Sequence, residues 1–155
     1  TPFKFMPQNE KYPNCVQIAD LIAVLFTNCQ EKESRFISEH SVSIVEFRTM
    51  RTLDEFNQLT VNQLAEKMSL TASRITRIID GLVSKEIVNR QSSTTDRRVY
   101  DLSLTEKGKN QIIKMKEDYA KIHREILSII PDEYYDTMVE GITKLNDAVE
   151  RWLNR

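Results

Sequence analysis

The chain has 155 residues, of which 22 are Lys or Arg and 23 are Asp or Glu, giving a formal net charge of −1. This balance argues against a protein that coats nucleic acid through bulk positive charge. The sequence shows no long apolar run, signal-peptide pattern or low-complexity linker, so we expect one soluble cytoplasmic domain with no cofactor and no membrane partner. High charge with only three Gly and four Pro is typical of a mostly helical chain.

The first predicted helix runs from about Asn14 to about Ser34, and the preceding segment 1–12 looks like an extended arm. The apolar side of this helix consists of Ile18, Leu21, Ile22 and Leu25. A second helix opens at the capping box Ser43-Ile44-Val45-Glu46, in which the Ser and Glu side chains can satisfy exposed amides. Its inner side consists of Phe47, Met50 and Leu53. We expect this second helix to bridge the terminal helices and the segment that follows.

Two short amphipathic helices are predicted next. The first opens at a second capping box, Thr60-Val61-Asn62-Gln63, with Leu59 and Leu64 placed as a hydrophobic staple. After a break at Ser69-Leu70, the other helix carries apolar residues at the spacing of a single buried stripe: Ile75, Ile78, Ile79, Leu82 and Val83.

The opposite face of this fourth helix is short, polar and cationic. Ser73 and Arg77 point away from the apolar stripe, and Arg74 and Thr76 flank them. Such a face fits the major groove of DNA, where Arg can bind guanine O6 and N7 and Ser or Thr can bind phosphates or base edges. The alternative interpretation is an ordinary solvated helix face.

A β-hairpin is predicted after the fourth helix, because the strand-like runs 87–91 and 99–104 enclose a polar tip at 92–98. Strand alternation places Arg98 on the covered face with Tyr100, Leu102 and Leu104, and it points Arg97 outward. Arg97 is then the freer side chain, and Arg98 would pair with Asp96 or Asp80, although the twist of a hairpin tip can exchange these two roles. Residues 60–110 hold nine Lys or Arg against six Asp or Glu, so the positive charge is concentrated there.

Two long helices complete the chain, and apolar residues recur in both at alternating spacings of three and four. In 111–130 these residues are Ile112, Met115, Tyr119, Ile122, Ile126 and Ile129. In the last helix, with Pro131 at its first position, they are Tyr135, Met138, Ile142, Leu145, Val149 and Trp152. Three long striped helices carry more apolar surface than one small module can cover, which favours a homodimer over a monomeric bundle.

The order of the elements and four short motifs resemble the MarR family of bacterial winged-helix transcriptional regulators. The motifs are Leu64-Ala65-Glu66, Thr76-Arg77-Ile78-Ile79-Asp80-Gly81-Leu82, Asp96-Arg97-Arg98 and Leu104-Thr105-Glu106-Lys107-Gly108. The resemblance implies a mainly α fold with a small β-hairpin wing. It implies one domain, 1–155, with a winged helix-turn-helix module at 43–108 and dimerisation helices at 1–42 and 109–155. It also implies a homodimer, most often a repressor, that binds a pseudo-palindromic double-stranded DNA operator and responds to a small-molecule effector.

The resemblance assigns functional residues as well. In this family the second helix of the motif enters the major groove and the wing sends an Arg into the neighbouring minor groove. The resemblance assigns these roles to Ser73, Arg74, Thr76, Arg77 and to Arg97 or Arg98. The predicted DNA-binding residues are these together with Thr71, Arg90 and Ser92. Family effectors bind in the crevice where the bridging helix meets the first and fifth helices. The residues predicted to line it are Phe36, His40, Phe47 and Met50. Taken singly, each fits an ordinary core position better, and His40 fits a satisfied or surface histidine better than a ligand contact.

Other functions find less support. Some members of the family sense oxidants through a Cys near the start of the first helix, where Cys15 stands, although inert thiols in a reducing cytosol are the favoured interpretation. No cluster shows the spacing of metal ligands, and no nucleophile elbow or phosphate-binding glycine loop indicates an enzyme. The alternative from another class is a protein-interaction module, in which Arg74, Arg77 and Arg97 would bind an acidic protein surface.

Overall fold

The computed structural model describes residues 14–93 and 99–155, and it is mainly helical with one small antiparallel sheet, which confirms the predicted fold class. A turn of 3-10 helix, Asp132–Tyr134, directly precedes the last helix. The chain divides into two compact units, one ending at Ile113 and the other comprising Lys114–Arg155. In chain order the elements are α1 (Cys15–Ser38), α2 (Ile44–Phe56), β1 (Leu59–Thr60), α3 (Val61–Met68), α4 (Ala72–Ser84), β2 (Val88–Ser92), β3 (Tyr100–Leu104), α5 (Glu106–Leu127) and α6 (Tyr135–Leu153).

The start of α2 follows the predicted capping box. The Ser43 hydroxyl accepts a hydrogen bond from the Glu46 amide at 3.3 Å, and the Glu46 carboxylate accepts one from the Ser43 amide at 2.7 Å. The inner residues Phe47, Met50 and Leu53 are all buried, as predicted. The preceding helix α1 ends at Ser38 rather than near Ser34, and the residue that its last turn buries is Phe36.

The helices α3 and α4 form the predicted helix-turn-helix. Thr60 and Gln63 make the second capping box, with hydrogen bonds of 2.8 and 3.2 Å. The chain reverses after α3 through Ser69, which has a left-handed φ of 53°. The residue that caps α4 is Thr71, whose hydroxyl accepts a hydrogen bond from the Arg74 amide at 3.3 Å.

The buried stripe of α4 is narrower than predicted. Ile75, Ile79 and Leu82 are fully buried, whereas Ile78 is half-buried and Val83 is 38% exposed. Val83 lies about 100° around the helix from Leu82, so it falls at the edge of the packed side. Its assignment to the buried stripe was therefore wrong.

The predicted hairpin is present as β2 and β3, which pair in antiparallel register from Val88 opposite Leu104 to Ser92 opposite Tyr100. The sheet has a third strand that the sequence did not predict, because β1 pairs with the outer side of β3 and has only two residues, too few for a periodic pattern. Alternation predicted that Tyr100 would be covered together with Leu102 and Leu104. The two leucines are buried, but Tyr100 is 41% exposed, since it lies at the end of the ladder where only Ser92 stands opposite.

The junction between the sheet and α5 depends on Thr105 and Gly108. The Thr105 hydroxyl donates to the Glu86 carbonyl at 2.7 Å and accepts from the Gly108 amide at 2.9 Å, so it caps α5. A Cβ on Gly108 would stand 2.2 Å from the Ile87 carbonyl oxygen. The Leu-Thr-Glu-Lys-Gly motif is thus a packing motif that brings the first turn of α5 against the chain entering β2.

In the unit Lys114–Arg155, apolar side chains at the predicted three-four spacing lie on the surface. On α6, Tyr135, Ile142, Leu145 and Val149 are exposed, and Trp152 is 66% exposed. Pro131 does not begin α6 directly, because the 3-10 turn Asp132–Tyr134 separates them. None of the described helices is long and apolar enough to cross a membrane.

Candidate nucleic-acid interface

The N-terminal end of α4, residues 72–77, is called the reading end below. It presents three of the predicted residues to solvent. Ser73, Arg74 and Arg77 are exposed, and among the described residues neither guanidinium is paired with a carboxylate. The amide N–H groups of the first turn also point out of this end of the helix, which carries the positive end of the helix dipole. Two available guanidinium groups therefore stand beside a hydroxyl and a partial positive charge, which suits an anion or a base edge.

The threonines beside these residues are partly committed to the backbone. The Thr76 hydroxyl donates to the Ala72 carbonyl at 3.0 Å, so only its lone pairs remain for a ligand. The Thr71 hydroxyl accepts from the Arg74 amide and lies 3.2 Å from the Ser73 hydroxyl. A hydroxyl in this pair can still donate its proton to a phosphate oxygen, whereas Thr76 cannot while its bond to the helix persists.

Arg90 holds the helix-turn-helix and the sheet together. Its guanidinium lies 2.9 Å from the Asp80 carboxylate of α4 and 4.6 Å from the ring centroid of Tyr100 on β3. Asp80, which the sequence offered as a partner for Arg98, is thus engaged by Arg90. Ser92 is exposed at the end of β2. Of the predicted DNA-binding residues, Arg97 and Arg98 lie outside the described residues.

An ion pair next to this site was not predicted from the sequence. The Lys85 ammonium, at the C-terminal cap of α4, lies 2.8 Å from both carboxylate oxygens of Glu46 on α2. Burial alone would raise the pKa of Glu46, but hydrogen bonds from Lys85 and Ser43 and the charge of Lys85 outweigh it and hold the pKa below its usual range. The partners are 39 residues apart, and no periodic pattern signals such a pair.

Three of the predicted effector residues, Phe36, His40 and Phe47, form an aromatic cluster where α1 meets α2. The ring of Phe36 lies 4.9 Å from that of His40 and 5.0 Å from that of Phe47, measured between centroids. Phe36, Phe47 and Met50 are buried and His40 is half-buried. Three of the four residues therefore belong to the packed core of this unit, and His40 lies at its edge.

The two cysteines occupy different surroundings. Cys15 is exposed at the first residue of α1, and Cys29 on the same helix is half-buried. Among the residues that the structure describes, no three His, Cys, Asp or Glu side chains are grouped so that they could hold a metal ion.

Comparison with known proteins agrees with this architecture. Residues 42–100 match the model of the MarR family. The chain is 25% identical over 130 residues to the HTH-type transcriptional regulator MhqR of Bacillus subtilis (strain 168), covering 84% of this chain and 90% of that protein. It is 27% identical over 129 residues to the HTH-type transcriptional repressor MdtR of the same organism, covering 83% of each.

A solved structure of the same fold is that of FabT from Streptococcus pneumoniae, which was determined in complex with DNA. It superposes with a TM-score of 0.77 at 24% identity, over 88% of this chain and 97% of that one. The matched segment 42–100 runs from the start of α2 to the first residue of β3, and so it includes the helix-turn-helix and the first strand of the hairpin. The segment holding the helix-turn-helix and the first strand of the hairpin therefore matches the MarR family, and the fold is the one seen in FabT.

Proposed function

We propose that the chain is a sequence-specific, double-stranded DNA-binding transcriptional regulator that acts as a homodimer on an inverted repeat. The observation that carries the proposal is the reading end of α4, where Arg74 and Arg77 are exposed without a carboxylate partner among the described residues. Arg side chains at the N-terminal turns of such a helix are suited to bidentate contacts with guanine in the major groove. The names of MhqR and MdtR, and the DNA bound to FabT, support the same assignment.

The homodimer is proposed because large apolar side chains lie on the surface of the single chain. On α1 they are Ile18, Leu21, Ile22, Val24, Leu25 and Phe26, and the segment 14–30 contains a single charged residue, Asp20. A helix that is apolar around so much of its circumference needs more than one packing partner. A second copy would supply these partners and would present a second α4 to the DNA.

The proposed regulation is repression relieved by a small apolar effector. The aromatic cluster of Phe36, His40 and Phe47 lies between α1, a proposed dimer helix, and α2, which packs on the helix-turn-helix. A ligand that separates these rings would alter the spacing of the two reading helices. Phe36, His40, Phe47 and Met50 remain the proposed lining residues.

The test is selection of bound duplexes from a random pool at moderate salt, since phosphate contacts weaken as salt rises. We expect an inverted repeat whose half-site centres are about ten base pairs apart, which is one turn of DNA. The matched control is a comparison of Arg77→Ala with Arg35→Ala, which removes the same charge from α1. The loss of enrichment should be confined to Arg77→Ala.

If the folded, dimeric wild type enriches no sequence, the DNA-binding proposal fails. The alternative would then be a docking module whose arginines bind an acidic protein surface. One exposed face is enough for docking, whereas reading an inverted repeat requires two symmetry-related faces.

A further inference from the structure

We infer that the ion pair between Glu46 and Lys85 positions the reading helix α4 for sequence-specific contact, an inference that rests on the proposed DNA-binding function. The pair connects the first turn of α2 to the C-terminal cap of α4. The Glu46 side chain is 11% exposed and that of Lys85 is 37% exposed, so water screens this pair less than it would two fully exposed partners.

The carboxylate of Glu46 is positioned by contacts other than the one to Lys85. One oxygen of Glu46 accepts the Ser43 amide at 2.7 Å within the capping box, which fixes the side chain against α2. The other oxygen faces Gly81, one turn before Lys85 in α4, where a Cβ would stand only 3.2 Å away. The absence of a side chain at Gly81 therefore lets the carboxylate approach α4 closely.

The same end of α4 is attached on a second side. The Lys85 carbonyl accepts a hydrogen bond from the Lys107 ammonium of α5 at 2.8 Å. Lys107 also lies 3.2 Å from the Glu86 carboxylate. The C-terminal end of α4 is thus tied to α2 by a side chain and to the start of α5 by its backbone.

The contacts at the C-terminal end of α4 determine the position of its reading end, because a helix tilts as a rigid rod. Arg74 is 11 residues from Lys85, or about 16 Å along the axis at 1.5 Å per residue. A tilt of about 5° at the anchored end would move Arg74 by roughly 1.4 Å, which exceeds the distance range of a good hydrogen bond. A small error in the position of α4 would therefore disrupt base contacts while leaving general attraction to phosphates intact.

For the substitution Glu46→Gln, a positioning role and simple electrostatics predict opposite changes in affinity for the selected DNA. Glu46→Gln removes a negative charge from the DNA-binding unit, and by charge alone it should strengthen binding to any duplex. Positioning requires that it weaken binding to the selected inverted repeat by about 3- to 30-fold, which lies within the range of couplings between contacting residues. Binding to an unrelated duplex should stay equal or increase slightly.

The experiment is a double-mutant cycle of Glu46→Gln and Lys85→Met, with dissociation constants measured for the selected and the unrelated duplex. Each variant is first shown by denaturant unfolding to be folded under the assay conditions. We expect each single change to weaken specific binding and the second change to add little to the first. If Glu46→Gln fails to fold, the inference is tested with Lys85→Met alone, by comparing its binding to the two duplexes.

The matched control cycle uses Glu31 and Arg35, an ion pair within α1 that does not reach α2 or α4. Its removal should leave the ratio of specific to unrelated binding unchanged. Unchanged or tighter specific binding by Glu46→Gln overturns the inference, as does a loss from Lys85→Met that is equal for both duplexes. If instead the wild type itself selects no sequence, it is the proposed function that has failed.

Discussion

Glu86 is held in a conformation that suits glycine better. Its φ is 61°, in the left-handed region, and its carboxylate pairs with Lys107 only at the exposed surface. Left-handed backbone costs an L-residue about 1–2 kcal/mol, whereas the added flexibility of glycine costs about 0.5–1 kcal/mol. We expect Glu86→Gly to raise the free energy of unfolding by about 0.5–1 kcal/mol in urea denaturation. Glu86→Ala, which loses the ion pair and keeps the strain, should give no such gain.

Gly108 is required for a close approach of two backbones. An added Cβ would meet the Ile87 carbonyl oxygen at 2.2 Å, and a carbonyl within a packed junction cannot rotate away as a flexible side chain can. We expect Gly108→Ala to lower the free energy of unfolding by about 1–3 kcal/mol. The matched change is Gly141→Ala in α6, where a Cβ meets no atom of the described residues within 4 Å. This change should raise stability by about 0.5–1 kcal/mol, and a loss there equal to that of Gly108→Ala would contradict the steric argument.

The ionisation of Glu46 contributes a pH-dependent part of the stability. Burial raises its pKa, but Lys85 and Ser43 lower it by more, so the folded-state pKa lies below the unfolded-state value. The stabilisation is therefore complete above the unfolded-state pKa and is lost as the pH falls through the folded-state pKa. We expect Glu46→Gln to be less stable than the wild type at neutral pH, with a difference that shrinks on acidification. Urea denaturation across that range measures it, and a pH-independent difference would contradict this account.

The contrast between local and long-range contacts explains which residue roles were predictable. Both capping boxes, at Ser43 and Thr60, were predicted because donor and acceptor lie three residues apart and the geometry follows from the helix itself. The pair of Glu46 with Lys85 was not, because its partners meet only after α2 and α4 have packed. The partner of Asp80 was not predictable either. The sequence offered Arg98, whereas in the structure the folded hairpin places Arg90 beside it.

At the scale of elements, periodicity predicted the helices and the hairpin but not their edges. Hydrophobic spacing describes which side of a helix is apolar, whereas the width of the buried stripe depends on what packs there. Val83 and Tyr100 are exposed for this reason, since each lies beyond the area that its neighbours cover. The two-residue strand β1 exists only through its pairing with β3, which no short pattern encodes.

Substitutions of Arg77 and Arg90 should distinguish a residue that contacts DNA bases from one that stabilises the fold. Arg77 projects from α4 without a carboxylate partner among the described residues, whereas Arg90 is held between Asp80 and the ring of Tyr100. We expect Arg77→Ala to relax discrimination between operator variants by about 1–3 kcal/mol at one base pair and to leave stability unchanged.

Arg90→Ala is the matched comparison. It should lower the free energy of unfolding by about 0.5–1 kcal/mol, because it removes an ion pair and a cation–π contact that are both partly exposed. Its effect on affinity should be similar for all duplexes. Competition binding with single-base operator variants, together with urea denaturation, measures both effects. Unchanged discrimination by Arg77→Ala would remove Arg77 from the reading role.

At the scale of the whole molecule, the apolar surface of α1 and α6 is the feature that one chain leaves unexplained. Side chains as large as Phe26 and Trp152 are mostly exposed, and they recur along both helices. Exposed apolar area of this extent marks an association surface in a protein of ordinary net charge. If the proposed homodimer forms through this surface, specific binding to an inverted repeat should depend on protein concentration, because only two associated copies would present two reading helices.

Ile142→Glu on α6 tests this dependence. Ile142 lies within the apolar stripe between Tyr135 and Val149, and in a two-fold interface each substitution occurs twice. Burying an Ile contributes about 1.5–3 kcal/mol, so losing two should raise the dimer dissociation constant by roughly 10²-fold or more. Sedimentation velocity over a dilution series measures it, and operator affinity should fall in parallel at low protein concentration. Thr143→Glu, which adds the same charge on the polar side of α6 beside Glu140 and Asp147, should leave both quantities unchanged, and equal dissociation of the two variants would place the interface elsewhere.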